Sequence, residues 1–463
     1  MIRLSYIYHY CLAALACLAC SIAASAQERL ILLNEGNWQA DNGRVTYFEN
    51  DHVVSNQWFR DKNGMKIGDT PNDIIQVNDN LIAIAINWSN IVQFIRPDGT
   101  AVAATEDVPN NRKLCSDGRY VYVTSYGHEC GTISGMKYFT KGYVAKIDVN
   151  TFKVVAATEV GYEPEGIALY KGHLFVANTG GYAFEENHEY ETTVSILNAE
   201  TMELVKNVDV EQINLYGKMP QSGRYLCINS PGDYYGASAA CIIFDCEKAL
   251  QGDKDCFVRL EYASTYSCTA MDGTFYAIGS RFSYYTSDYV FNYVTIDPVE
   301  VMASSGGSGV EERLPGTVLN DIKQMSMPYG LYVNPYTGYI YGTDAASFAA
   351  SGTLYQWSPE GQLLGTHKVY INPAHFLALP PDGQHYTGIE RVNVNGNGND
   401  FQRPLPPSSL RGGVNNGNDG ANSSLFTFHS SLNKWFSLDG RCLSGKPMQK
   451  GVYINNGKKV VIK

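Results

Sequence analysis

The stretch "GIALYKGHLFVANTGG", residues 166–181, places two short apolar runs on either side of a Lys-Gly turn. In each run apolar residues recur with the period of a β-strand, and no helical period is present. A two-residue turn that contains Gly, set between two such runs, is typical of a β-hairpin. The segment therefore predicts a hairpin, and the rest of the chain can be compared with it.

The same hairpin pattern recurs along the chain. It returns in "DIIQVNDNLIAIAINWSN" (73–90), "KLCSDGRYVYVTSYG" (113–127), "CTAMDGTFYAIGS" (268–280) and "GLYVNPYTGYIYGTD" (330–344). The copies begin near residues 70, 112, 163, 213, 263, 322 and 372, a spacing of roughly 40 to 60 residues. A period of that size is typical of β-propeller blades rather than of helical or leucine-rich repeats.

Each repeat continues beyond its hairpin with two more strand patterns, for example "TTVSILNAE" and "MELVKNVDV". Four antiparallel strands per repeat predict an all-β, seven-bladed propeller, because stacked blades leave only short strand edges exposed. Six repeats are complete. The seventh needs the N-terminal strands within 29–54 joined by "PAHFLALPPDG" (373–383), so pairing of the N- and C-terminal strands should close the ring.

The first 26 residues are interpreted as a signal peptide, and the propeller is assigned to residues 27–392. Arg3, the apolar run "CLAALACLACSIAA" and the small residues "ASA" before Gln27 are typical of a cleavable export signal. An acylated Cys17 or Cys20 and an uncleaved anchor are the alternatives. The sequence thus predicts an exported protein, located at the cell surface, outside the cell or in the periplasm.

The C-terminal region differs in composition from the repeats. Residues 393–424 are rich in Gly, Asn, Pro and Ser, which predicts a linker. Residues 425–463 follow, with two alternating runs that predict a small β-hairpin segment. Its "KGVYINNGKKVVIK" portion resembles the C-terminal sorting segment of proteins exported by type IX secretion, which implies transport across the outer membrane. A terminal hairpin without a sorting role is the alternative.

Composition and charge exclude some partners. The chain has 463 residues, 44% of them hydrophobic and 17% charged, so it can bury a large core. Its net charge of −11 argues against nucleic acid, which needs a basic surface. Among the cysteines, Cys246 and Cys256 flank "EKALQGDKD" and are the best candidates for a disulfide, with buried free thiols as the alternative.

The loop that follows each hairpin carries an aromatic residue among Gly, Asn and Ser. In a propeller these loops gather at one end of the central channel. Rigid rings beside small polar residues are typical of a surface that stacks on a ligand. Packing between blades is the alternative. The candidate ligand-binding residues are Trp38, Trp88, Tyr126, Tyr182, Tyr234, Tyr235, Tyr284, Tyr285 and Phe348.

Catalytic patterns are few. The sequence contains no HExxH, GxSxG or P-loop motif, so no catalytic residue, metal ligand or cofactor is assigned. Five carboxylates are expected near the aromatic loops, where they could hold a metal or simply cap turns. They are Glu35, Asp73, Glu165, Asp233 and Asp344.

Three segments carry a resemblance to a known family: "LLNEGNWQADNGRVTYF", "TPNDIIQVNDNLIAIAINWSNIVQFI" and "PEGIALYKGHLFVANTGG". They are similar to the YncE-like exported seven-bladed propellers, which include BtuG-type surface proteins that bind cobalamin. The resemblance covers roughly residues 29–380. It implies corrinoid capture at the cell surface and transfer to a TonB-dependent outer-membrane transporter. The signal lacks the lipobox of the BtuG-type proteins.

Three functions are compatible with these observations. The leading hypothesis is a non-enzymatic binding propeller whose ligand, a corrinoid first of all, lies on the aromatic loops. The second is an adhesion protein that binds a glycan or another protein there. The third is a metal-dependent hydrolase similar to propeller lactonases.

Overall fold

A computed structural model gives the three-dimensional structure of the chain. It describes residues 28–105, 108–127, 141–181, 188–233, 238–262, 264–283 and 288–386, with side chains except those of 280–292. It also describes the backbone of four short C-terminal strands. The predicted signal peptide and the predicted linker lie outside the described residues.

The structure is a β-propeller of seven four-stranded antiparallel blades, which confirms the predicted fold. Blades are numbered here in chain order. Blades 1 to 4 comprise β1 (Arg29–Asn34), β2 (Arg44–Glu49) and β3 (His52–Ser55); β4 (Pro71–Asn78), β5 (Leu81–Ile86), β6 (Ile91–Ile95) and β7 (Ala101–Thr105); β8 (Asn111–Ser116), β9 (Tyr120–Ser125), β10 (Tyr143–Asp148) and β11 (Lys153–Glu159); and β12 (Pro164–Tyr170), β13 (His173–Asn178), β14 (Thr193–Asn198) and β15 (Leu204–Asp209).

Blades 5 to 7 and the strand that completes blade 1 follow the same order. They comprise β16 (Gln221–Ser222), β17 (Tyr225–Ser230), β18 (Ala240–Asp245) and β19 (Phe257–Leu260); β20 (Tyr266–Thr269), β21 (Phe275–Ser283), β22 (Asp288–Ile296) and β23 (Val310–Glu311); β24 (Pro328–Val333), β25 (Ile340–Asp344), β26 (Thr353–Trp357) and β27 (Leu363–Lys368); and β28 (Pro373–Ala378).

Short helices lie in loops at the edges of the blades: α1 (Trp58–Asn63), α2 (Cys246–Gln251), α3 (Pro298–Ser304) and α4 (Val318–Ile322). Within the described residues no helix has both the length and the apolar character that crossing a membrane requires. The C-terminal strands are β29 (Trp435–Ser437), β30 (Cys442–Leu443), β31 (Gly451–Asn455) and β32 (Lys458–Ile462). β31 and β32 form a hairpin, and β29 with β30 extends it to four strands.

The two ends of the propeller meet in blade 1, as predicted. β28 is the innermost strand of that blade and pairs with β1, from Leu30 opposite Ala378 to Asn34 opposite Pro373. Arg29 adds a hydrogen bond to the carbonyl of Pro380. Strands from opposite ends of the chain therefore close the ring.

The hairpin at 166–181 shows why these segments fold locally. Tyr170 pairs with His173, and the two residues between them, Lys171 and Gly172, have φ values of 44° and 72°. Positive φ at both central positions defines a type I′ turn, whose twist matches that of the flanking strands. Gly172 adopts this conformation without steric cost, so the turn fixes the strand register.

The core consists of apolar layers between neighbouring blades. Phe175 of blade 4 and Phe244 of blade 5 are both fully buried, with ring centroids 5.9 Å apart. The middle strands are buried on both faces, as in β5, whereas the outermost strands alternate, as in β11. Stacking of one blade on the next thus buries surfaces that no single blade can bury.

The predicted disulfide between Cys246 and Cys256 is wrong, because both are free cysteines in the structure. Cys246 is the first residue of α2, and both thiols pack in the apolar layer between blades 4 and 5. Burial raises the pKa of each thiol, most strongly that of Cys246. The chain between them is held instead by a backbone hydrogen bond from Asp245 to Cys256 and by the Asp245 side chain that caps α2.

Candidate ligand-binding site at the channel mouth

The seven innermost strands, which are β28, β4, β8, β12, β16, β20 and β24, surround the central channel. They all begin at the same end, where the loops between blades also lie. Antiparallel order places the loops between second and third strands at this end too, among them 35–43, 87–90 and 345–352. We call this end, with those loops and the first residues of the innermost strands, the mouth.

β-Bulges shape the mouth. The register of the innermost strand shifts within its first residues in five blades, at Pro71/Asp73, Asn111/Leu114, Pro164/Ile167, Pro328/Gly330 and opposite Leu33/Asn34. A bulge sets extra residues against one partner residue and re-aims their side chains, which is why bulges are common beside active sites. Here the residues inside or next to the bulges are polar: Asp73, Arg112, Lys113, Glu165, Tyr329 and His375.

Glu165 receives two donors from blade 3. Arg112 contacts its Oε1 through Nε at 2.6 Å and Nη2 at 2.5 Å. The Tyr126 hydroxyl donates to the same oxygen at 2.5 Å, and Arg112 lies over the Tyr126 ring, 4.8 Å from its centroid. Glu165 is fully buried and its Oε2 has no hydrogen-bond partner. The contacts of Arg112 and Tyr126 with Glu165 therefore bridge two blades, and Oε2 of Glu165 remains as an unused acceptor.

Asp73 and Lys218 meet across the channel. Lys218 lies in the loop that leads into blade 5, and its Nζ is 2.8 Å from Oδ1 of Asp73 on β4 of blade 2. Oδ2 accepts the backbone N–H of Leu114 at 2.9 Å. Burial opposes ionisation of Asp73, but Lys218 and then Lys113 more than offset it and hold its pKa below the ordinary value. Asp73 is thus an ionised, buried anchor.

A third buried carboxylate, Glu35, follows β1. Tyr329 donates its hydroxyl to Oε2 at 2.5 Å, and His375 Nε2 lies 2.9 Å from Oε1. Burial, followed by Lys113, lowers the pKa of His375, although Glu35 and Asp73 act in the opposite sense. His375 is therefore neutral at pH 7, with Nε2–H donating to Glu35 and Nδ1 carrying the lone pair.

Lys113 is buried in the same region. Its Nζ donates to the backbone carbonyl of Asn72 at 2.9 Å and to the Asn72 side-chain oxygen at 2.5 Å. Burial lowers its pKa, and Glu165 and Asp73 partly offset this effect. Among the described residues Lys113 has no ion pair within 4 Å, so the two oxygens of Asn72 are the acceptors that hold its amine in place.

Two of the predicted aromatic residues meet at the rim of the mouth. Trp38 of blade 1 and Trp88 of blade 2 pack edge to face, with centroids 4.8 Å apart and an interplanar angle of 74°. Both are half-buried. This is the arrangement expected of a preformed apolar wall that still offers surface to a ligand.

The other described members of that set lie elsewhere in the mouth. Phe348 is half-buried and packs edge to face on Tyr329, 5.5 Å between centroids. Tyr126 is only 6% exposed, so it meets the site through its hydroxyl at Glu165. The remaining predicted residues lie outside the described residues: Tyr182, Tyr234, Tyr235, Tyr284 and Tyr285.

Four of the five carboxylates expected near the aromatic loops bond to protein groups: Glu35, Asp73 and Glu165 as described above, and Asp344 at a turn. Asp344 accepts the backbone N–H groups of Ser326, Met327 and Ala346, which is the turn-capping role that was the alternative. In the part of the chain that the structure describes, no group of three or more His, Cys, Asp or Glu side chains is arranged to hold a metal ion. The hydrolase hypothesis gains no support from this geometry.

The sequence analysis did not single out the cations, His375 or Tyr329. A signal for several of them exists where five of the seven innermost strands begin. There "TPND", "PNNRK", "EPEG", "MPYG" and "NPAH" place Pro or Asn within two residues of a polar or aromatic residue. Pro lacks the N–H that a regular strand pairing uses, so it is typical of strand starts and bulges. Lys218 has no such signal, because it lies in a loop between blades.

The similarity of this chain to known proteins is found among solved structures. No protein-family model matches the chain, and no curated protein matches it. A quinoprotein alcohol dehydrogenase-like protein of Bacteroides thetaiotaomicron is 11% identical, with 76% of this chain and 78% of that one covered and a TM-score of 0.48. AztD of Citrobacter koseri is 10% identical, with coverages of 77% and 99% and a TM-score of 0.44.

Hydrazine synthase of Kuenenia stuttgartiensis is also similar, at 14% identity, with 66% of this chain and 88% of that one covered and a TM-score of 0.47. At these identities the likeness concerns the propeller fold alone, since propellers serve many unrelated functions.

Proposed function

We propose that the protein is a non-enzymatic ligand-binding propeller that takes its ligand at the mouth, with a corrinoid as the leading candidate. The observation that carries the proposal is the Trp38–Trp88 pair, two half-buried indoles from neighbouring blades beside a ring of polar side chains. Preformed sites combine an apolar wall with a few fixed polar groups in this way. A flat ligand with polar edges fits both parts.

The polar ring supports binding rather than catalysis. Asp73 and Glu165 are paired with Lys218 and Arg112 of other blades, and Glu35 accepts hydrogen bonds from His375 of its own blade and from Tyr329 of blade 7. Such fixed networks preorganise a pocket, because their side chains do not have to be ordered when the ligand arrives. The role proposed for the mouth is therefore recognition of a ligand without chemical change.

The proposal extends to location and partner. The export signal and the sorting-like tail favour a protein at or beyond the outer membrane, where it would pass the ligand to a TonB-dependent transporter. The export signal and the sorting-like tail are both inferred from the sequence, and they are tested independently of the binding site.

The binding role is tested by mixing the protein with cyanocobalamin, removing free ligand on a desalting column and recording the visible spectrum. The expected result is a corrin spectrum that elutes with the protein and is lost in Trp38→Ala. Val205→Ala, on an outer strand and 52% exposed, is the control and should retain the ligand. A folded wild type that elutes without the corrin spectrum would remove the corrinoid from the proposal.

A further inference from the structure

We propose that the mouth contains a subsite for an anionic oxygen group of the ligand, a carboxylate or a phosphate, held by Lys218 and Arg112 with His375 beside them. The inference deepens the proposed binding role and rests on it. It does not depend on the ligand being a corrinoid. It follows from which side of each ion pair reaches the channel.

Three pairs of a basic and an acidic side chain around the channel are oriented in the same way: Lys218–Asp73, His375–Glu35 and Arg112–Glu165. The side chains of Lys218, His375 and Arg112 are 48%, 16% and 14% exposed. Their carboxylate partners Asp73, Glu35 and Glu165 are 0%, 9% and 0% exposed. Each carboxylate is therefore more deeply buried than its basic partner, and the surface that these pairs offer to a ligand belongs mainly to the basic side chains.

These basic groups converge on one space. Lys218 crosses the channel to reach Asp73, so its exposed part lies within the channel. Asp73 accepts the N–H of Leu114, two residues after Arg112 on β8, and its strand β4 lies beside β28, which carries His375. One small anion can thus be approached from the blade 3 side and from the blade 5 side.

The carboxylates around the channel already face basic groups before a ligand enters. Glu35, Asp73 and Glu165 lie beside the side chains of Arg112, Lys113 and Lys218, and His375 is neutral. An anion beside Lys218 would add a negative charge to this group. His375 is the group able to correct this, because a proton taken up at Nδ1 makes its ring a cation and adds a donor.

The groups that face His375 are consistent with proton uptake by His375 when an anion binds. Glu35 after β1 and Asp73 on β4 favour its protonated form, Lys113 on β8 opposes it, and Tyr329 on β24 donates to Glu35. An anion bound beside Lys218 adds a further negative charge. Binding should therefore be accompanied by proton uptake and should strengthen as the pH falls from 7.5 toward about 5.5.

The experiment uses three probes of similar size: sulfate, acetate and the neutral acetamide. Binding is measured through the intrinsic fluorescence of the protein and checked by the line width of the probe's NMR signal. Saturable binding of sulfate or acetate is expected, and acetamide should bind far more weakly. The stronger of the two anions indicates whether the subsite suits a phosphate-like or a carboxylate group. Sulfate keeps its charge across the pH range, so it reports the proton uptake.

The variants separate the subsite from general charge effects. Lys218→Met should lower anion affinity about tenfold or more, whereas Lys218→Arg should largely retain it. Lys171→Met is the matched control, because Lys171 forms an ion pair with Glu247 in the turn at the opposite end of blade 4 and is 57% exposed. His375→Gln should remove the strengthening of sulfate binding between pH 7.5 and 5.5, measured as the ratio of the two affinities within the variant.

The outcomes distinguish this subsite from the proposed function. Loss of the subsite is indicated if sulfate and acetate fail to saturate, or bind Lys218→Met as well as wild type. An adventitious surface ion is indicated if Lys171→Met weakens binding equally, and that result also overturns the proposal. Anion binding that depends on Lys218 in a protein that does not bind cobalamin keeps the subsite and removes only the corrinoid. Cobalamin binding in a protein that binds neither anion keeps the corrinoid proposal and removes the anion subsite.

Discussion

Asp73 on the innermost strand of blade 2 and Lys218 in the loop before blade 5 form an ion pair of 2.8 Å that spans the central channel. Two whole blades separate them around the ring. The pair joins opposite walls of the propeller at the level of the mouth. The pair therefore lies in the proposed binding site and also links two distant blades of the fold.

Asp73→Asn should destabilise the protein by about 2–4 kcal/mol, because it removes the ion-pair partner of Lys218 and a negative charge near the buried Lys113. Asp98→Asn is the control. Asp98 also has a lowered pKa, caused by a hydrogen bond from the Thr100 backbone, but it is exposed in a turn. Urea unfolding of the two variants at pH 7 should show a large decrease in the free energy of unfolding only for Asp73→Asn. Equal decreases would contradict a stabilising role of the Asp73–Lys218 pair.

The pH dependence of stability follows from the same carboxylate. The folded pKa of Asp73 is lowered, so its contribution is complete above the unfolded value of about 3.9 and is lost as the pH falls through the folded value. Wild type should therefore lose stability below about pH 4 more steeply than Asp73→Asn. Parallel acid profiles from thermal melts of the two proteins would show that Asp73 is not the group responsible.

Trp88 and Tyr126 should respond differently to mutation, although both were predicted as ligand-binding residues. Trp88→Ala should reduce ligand affinity about tenfold or more, with a small change in melting temperature, because the ring is half-buried at the rim. Tyr126→Ala should cost about 3–5 kcal/mol of stability, because its ring is buried. Tyr126→Phe keeps the ring and isolates the hydrogen bond to Glu165. Titrations beside melting curves measure both effects.

Truncation of the C-terminus should separate the fold from the tail. A chain of residues 27–392 keeps β28 and is expected to melt as the full chain does. A chain of residues 27–372 lacks the strand that pairs with β1, so it should show no cooperative unfolding. Circular dichroism melts of the two chains test this. Cooperative unfolding of the shorter chain would mean that six blades and a fragment suffice.

Cys246 and Cys256 should remain free thiols in the purified protein. Alkylation in denaturant without reductant, followed by peptide mass analysis, should find both residues modified. The same reagent should modify neither one in the folded protein, because both are buried and their pKa values are raised. A peptide pair linked through these two residues would restore the disulfide that the structure contradicts.

The repeated hairpins were predictable because their information is local. Turn residues such as Lys171 and Gly172, and the strand period on either side, encode each hairpin within about sixteen residues. Ring closure was predictable from counting, because six repeats were complete and the ends of the chain each lacked strands. Trp38 and Trp88 were assigned to equivalent loops for the same reason, and adjacent blades place them in contact.

The polar network of the mouth was not predictable in the same way. Asp73 and Lys218 meet only because two blades turn the chain back across the channel. The hydroxyl of Tyr126 reaches Glu165 on the neighbouring blade, so a residue that reads as an exposed loop aromatic is buried. Such contacts depend on the radius of the ring and on bulge geometry, and neither quantity is written in a local pattern.

The pairing of β1 with β28 also determines the order of events when the chain folds. Blades 2 to 7 are each built from one continuous segment, but blade 1 has no innermost strand until residue 378 has been synthesised. Contacts between distant parts of a chain form slowly, because a long loop must close first. The edge of β1 stays unpaired during that time and can associate with other chains. We therefore expect the fraction of chains that reach the native state to depend on how long the ring stays open as well as on the stability of the blades.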